Sequence, residues 1–153
     1  PGTATYTAST SAPASITLTL TATGSGPCAN AVSTKTITLT AAPTSVAGTA
    51  VIACNNAGAI NITAGSSATN NNGVTWTSNG TGTIANANPL TTATYTPGAG
   101  ETGVVTLTLT ATGSGPCANA VSTKTITLVD AVRITTQPAP TQTVCSSFPV
   151  SFI

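Results

Sequence analysis

The chain has 153 residues and a formal net charge of +1, from three Lys or Arg, two Asp or Glu and no His. Three cations cannot make the basic face that displaces counterions from nucleic acid, two carboxylates are too few for a calcium cage, and zinc has no imidazole to use. No apolar run approaches the ~18 residues that cross a bilayer as a helix, so neither membrane insertion nor a cofactor is expected, and acid–base catalysis has almost no groups to draw on.

Apolar residues recur with period two, and no segment sustains a helical period. Threonine fills 36 positions, and its β-branched side chain suits a half-exposed pleated surface. Residues 1–41 are predicted to be the last three strands (E to G) of one unit. Residues 43–130 are predicted to be a complete unit of seven strands. These are A at 48–53, B at 57–64, C at 73–78, D at 82–85, E at 92–96, F at 103–112 and G at 121–129. Gly, Asn, Ser and Pro punctuate the breaks, as in NNAG at 55–58, SNGTG at 78–82 and PGAGETG at 97–103. Residues 131–153 are predicted to be a linker, with Pro138 and Pro140, followed by the first strands of another unit. Seven short strands at this spacing point to a two-sheet sandwich of immunoglobulin type. Trp76, Tyr95, Leu107, Leu109, Ile126 and Leu128 are its expected core. The chain starts at Pro1 without a leader, which reads as a window cut from a longer protein.

An internal repeat supports that division. Residues 17–39, TLTLTATGSGPCANAVSTKTITL, recur without change at 106–128, an offset of 89 residues. Tyr6 then answers Tyr95, Cys28 answers Cys117 and Lys35 answers Lys124. More loosely, QTVCSSFPVSFI near the end answers AVIACNNAGAINI at 50–62, so that Cys145 answers Cys54. Eighty-nine residues is too long for a solenoid coil and suits one small β-domain. Neither 1–41 nor 131–153 can close a sandwich alone, so the parent molecule is expected to be a tandem array.

The string VTWTSNGTGTIANANPLTTATYTPGAGETGVVTLTLTATGSGPC, followed by AVSTKTITL, covers most of 73–128 and has a partial copy at 1–40. It resembles the PKD-like and Ig-like repeats of large Bacteroidota surface proteins, including gliding-motility adhesins. TTQPAPTQTVC at 135–145 looks like the opening of a neighbouring repeat of that kind. The resemblance implies export to the cell surface through the type IX route, and adhesion or a stalk role rather than catalysis. The expected function is thus a structural segment of an extracellular adhesin or surface filament, a stiff spacer and display element. Its partners would be neighbouring repeats, other copies in a filament, and an unknown surface or glycan ligand.

Four cysteines, Cys28, Cys54, Cys117 and Cys145, lie 26, 63 and 28 residues apart, too scattered for a thiolate metal cluster. In an exported protein they are candidates for structural disulfides. Cys54–Cys117 is the simplest pairing. The two would sit at opposite ends of a sandwich, however, and a disulfide needs Cα atoms within ~7 Å. The alternative is stapling between adjacent repeats, Cys54 to the F–G cysteine of the following one. Glu101 and Asp130, both expected near one end of the unit, could be imagined as a glycosidase pair. An unpaired surface role, or a weak salt bridge to Arg133, is the plainer reading. Lys35 and Lys124 read as gatekeepers that discourage edge-to-edge aggregation. Two rival functions have clear signatures. A carbohydrate-binding module needs Trp76 exposed, and an ice-binding protein needs a flat, regular threonine face.

Overall fold

The computed structural model describes residues 2–9, 14–137, 140, 141, 143, 145–147 and 149. Much of the predicted third unit, including Pro138, therefore lies outside the described residues. The chain is all-β, with eleven strands and no helix among the described residues. In order these are β1 (Ser15–Ala22), β2 (Ala31–Thr38), β3 (Thr44–Val46), β4 (Val51–Cys54), β5 (Ile60–Asn61), β6 (Ser67–Thr69), β7 (Val74–Ser78), β8 (Thr83–Ala85), β9 (Thr94–Thr96), β10 (Gly103–Ala111) and β11 (Ala120–Val129).

One sheet runs β4-β11-β10-β7, with β4 parallel to β11 and the other pairs antiparallel. A second runs β5-β9-β8, and β3 pairs with β6. Trp76, Tyr95, Ile62, Leu107, Leu109 and Ile126 are fully buried in one cluster, joined by Val105, Leu128, Ala47 and Ala93. The architecture of 43–130 is sandwich-like, with alternation along β10 and β11 sending apolar side chains inward and threonines outward. Ser45 ties β3 to this sheet: its hydroxyl donates to the Leu109 carbonyl at 3.0 Å and lies 2.8 Å from the Ser122 hydroxyl.

Strands C to G of the prediction lie within about two residues of β7 to β11. Strands A and B differ. Predicted A, 48–53, meets only β4; β3, which joins a different sheet, lies ahead of it and is not among the predicted strands. Gly48 makes the switch at φ +87°, where its α-carbon faces the Ala64 carbonyl so closely that a Cβ would collide. Predicted B, 57–64, likewise meets only β5; β6 lies beyond it, after a turn in which Ser66 N–H donates to the Thr63 carbonyl at 3.0 Å. β3 and β6 are three residues each, too short for periodicity to mark.

The hairpin β1–β2 forms a sheet of its own. Its register pairs Ile16 with Ile37, Leu18 with Lys35 and Leu20 with Ser33. The pairs in β10–β11 are Val105 with Ile126, Leu107 with Lys124 and Leu109 with Ser122. The two hairpins are therefore in the same register, 89 residues apart. Their turns agree as well: Gly24 N–H donates to Asn30 Oδ1 and Gly113 N–H to Asn119 Oδ1, both at 3.0 Å. Their surroundings do not. Leu107 and Leu109 are wholly buried, whereas Leu20 is 73 % exposed. Residues 2–9 form no strand.

Candidate functional site

Three places gather the polar chemistry of this chain. The first is a knot between the β7–β8 and β9–β10 loops. Tyr95 is fully buried on β9, and its hydroxyl reaches out to donate to Glu101 Oε2 at 2.7 Å. Gly98 N–H donates to the same oxygen at 2.8 Å, and Thr81 N–H to Oε1 at 2.7 Å. Gly82 N–H donates to the Tyr95 hydroxyl at 3.0 Å. A Cβ on Gly82 would stand 2.6 Å from the Tyr95 ring, so the loop needs glycine there. Burial pulls the Glu101 carboxyl upward, but hydrogen bonds from Tyr95, Gly98 and Thr81 together hold it below the usual glutamate value. Burial, then the bond to Glu101, pushes the Tyr95 hydroxyl up to about 12.

This corrects the reading of Glu101 as an unpaired surface carboxylate or a partner of Arg133: its partners are Thr81, Tyr95 and Gly98. Nor is it poised against Asp130, which accepts from Asn55 Nδ2 at 3.0 Å. Asn55 also accepts from Ala131 N–H at 3.1 Å and donates its own N–H to the Val129 carbonyl at 2.8 Å, pinning the exit of β11. A carboxylate six residues after an aromatic, across a glycine-rich turn, was the available signal for the knot.

The second place is Lys124. It is 5 % exposed, and its Nζ lies 5.3 Å from the centre of the Trp76 ring, with no hydrogen-bond partner among the described residues. Burial lowers its ammonium from the ordinary lysine value. The gatekeeper reading of Lys124 is overturned, because β11 is an interior strand flanked by β4 and β10. Lys35, identical in sequence context, is exposed on β2. Trp76 is 2 % exposed and offers no face to a sugar. On the opposite face of the same sheet, Thr77, Thr108 and Thr123 stand side by side across β7, β10 and β11.

The third place is the set of thiols. Cys28, Cys54, Cys117 and Cys145 are all free. Cys54 ends β4 opposite Val129, the last residue of β11, whereas Cys117 precedes the first residue of that strand. The ten residues of β11 thus hold them apart by roughly 30 Å at ~3.3 Å per residue. Cys117 Sγ donates to the Thr40 carbonyl at 3.5 Å, in the segment linking the hairpin β1–β2 to β3. Thr40 stands 89 residues before Val129.

No family model matches the chain, and neither a curated protein nor a solved structure matches it.

Proposed function

We propose that this chain is a structural, non-catalytic segment of an extracellular adhesin or surface filament, built of immunoglobulin-like or PKD-like sandwiches in tandem. One observation carries the reading. The same 23-residue hairpin occurs twice in the same register, once inside a closed core and once with no covering sheet among the described residues. An isolated two-stranded hairpin is marginal in water. A second hairpin with the apolar face of a core hairpin is what a repeating array contains.

The polar inventory agrees with a mechanical role. Glu101 and Tyr95 lock loops together, Asn55 and Asp130 pin the exit strand, and Lys124 is sealed against Trp76. These groups hold the fold and do not converge on a common space. The resemblance to Bacteroidota surface repeats supplies the cellular setting, export and display outside the cell. The cysteines fit stapling between neighbours, because Cys117 touches the incoming linker and Cys54 sits beside the outgoing one.

The test is the shape of an array. Chains extended by one, two and three further copies of residues 42–130 should gain a constant increment of length per copy in small-angle scattering and negative-stain images. Collapse of added copies into a globule, or a length that stops growing, would refute the reading.

A further inference from the structure

The hairpin β1–β2 has an edge that no other strand pairs with among the described residues. In the complete unit the outer edge of β10 carries β7 antiparallel, with Trp76 opposite Leu109 and Ser78 opposite Leu107. The outer edge of β1, identical in sequence from Thr17 onward, carries no strand among the described residues. Beside it lies a groove of about 540 Å³ whose lining includes Tyr6, Leu18, Leu20, Ser33 and Lys35. These five residues have identical counterparts 89 positions later: Tyr95, Leu107, Leu109, Ser122 and Lys124. Tyr95, Leu107 and Leu109 are core neighbours of Trp76, and Lys124 lies over its ring.

We propose that this groove binds a strand of the Val74–Ser78 type, antiparallel to β1 and with its tryptophan opposite Leu20, supplied by a preceding repeat of the same polypeptide. The inference rests on the tandem reading and specifies how one repeat boundary closes. A row of unpaired strand N–H and C=O groups beside an apolar trough calls for a strand, whose backbone pairs with the edge while alternate side chains fill the trough. A glycan or a small apolar ligand would leave that edge unpaired. A second copy is the weaker occupant, because its own β7 is already paired and its Trp76 is buried.

The experiment uses the full chain and the same chain extended ahead of Pro1 by a copy of residues 43–89. In the extended chain the amides of Thr17, Thr19 and Thr21, whose counterparts Thr106, Thr108 and Thr110 face β7, should exchange with solvent at least tenfold more slowly than in the unextended one. The added tryptophan should be shielded from a soluble quencher as Trp76 is, and Leu20→Asp should expose it while Trp76 stays shielded. If the added segment folds but its tryptophan remains open to quencher, the groove assignment is wrong and the tandem reading stands. If the added segment stays unfolded beside a folded 43–130, the tandem reading itself fails. If the unextended chain is a dimer with slow exchange at Thr17, Thr19 and Thr21, the occupant is a second copy and the proposal is overturned.

Discussion

Tyr95 and Glu101 meet at 2.7 Å, hydroxyl to carboxylate, where two glycine-rich loops cross. The tyrosine ring is in the core while its oxygen is at the rim, so one residue couples the packed interior to the loop geometry. The bond is charge-assisted, which roughly doubles its strength over a neutral one.

Removing either partner should therefore be costly. Tyr95→Phe and Glu101→Ala should each destabilise the fold by about 1–3 kcal/mol in urea unfolding, since each strands a partly buried polar group. The double variant should cost less than the sum of the two, because they share one bond. Strict additivity would show that the contact carries no energy.

The same pair sets two pH limits. Glu101 is held below its ordinary value of 4.5, so its contribution is complete above that pH and drains away as pH falls toward the lower folded-state value. Tyr95 is raised from 10.0 to about 12, so its contribution is complete below pH 10 and is lost as pH climbs through that interval. Urea midpoints measured across pH should fall at both ends, and Glu101→Gln should flatten the acid arm.

Lys124 is buried over Trp76 without a hydrogen-bond partner among the described residues. Replacing it with Met should stabilise the chain by about 1–2 kcal/mol at neutral pH, because a desolvated charge gives way to an apolar side chain of similar length. Lys35→Met, exposed on β2, should change stability by less than about 0.5 kcal/mol. Since burial lowers the Lys124 pKa, wild-type stability should rise with pH from that lowered value toward the ordinary 10.5 as the folded state sheds its proton first. Lys124→Met should abolish that rise, which opposes the loss from Tyr95 above pH 10.

The repeated hairpin provides its own control for core packing. Leu109→Ala should cost about 2–5 kcal/mol, the range for emptying a buried leucine site. Leu20→Ala, the identical change on the bare copy, should fall within about 0.5 kcal/mol. Equal effects would mean that the two hairpins are covered alike.

The thiols should distinguish the two pairings. With glutathione disulfide as oxidant, each new protein disulfide takes two thiols and returns two glutathione molecules, so free-thiol counts and mass mapping report the same event. No bond should form between Cys54 and Cys117 of one copy, given the roughly 30 Å of β11 between them. Bonds should instead join Cys54 of one copy to Cys117 of another, and Cys54→Ser should remove them. An intramolecular Cys54–Cys117 peptide would refute the stapling reading.

Much of the fold was legible because its signals are local. Alternation located β7 to β11 closely, since a strand with one wet face and one dry face writes itself into the residue order. β3 and β6 were hidden because each is three residues long with a single apolar residue among Ser and Thr. The roles of Glu101 and Lys124 were misread for a different reason. A lone charged residue looks like surface until its neighbours across the sheet and the loop are known.

The two hairpins separate these causes. Residue order alone decided that Thr17–Leu39 and Thr106–Leu128 would pair in one register about the same asparagine-braced turn, because every contact involved lies within 23 residues. It could not decide whether Leu20 or Leu109 would be dry. That depends on Ile62, Trp76 and Tyr95, which lie between the two hairpins in the chain and pack against the second. Pairing is a short-range property of the backbone, whereas burial needs a second layer, and the second layer belongs to the tertiary structure.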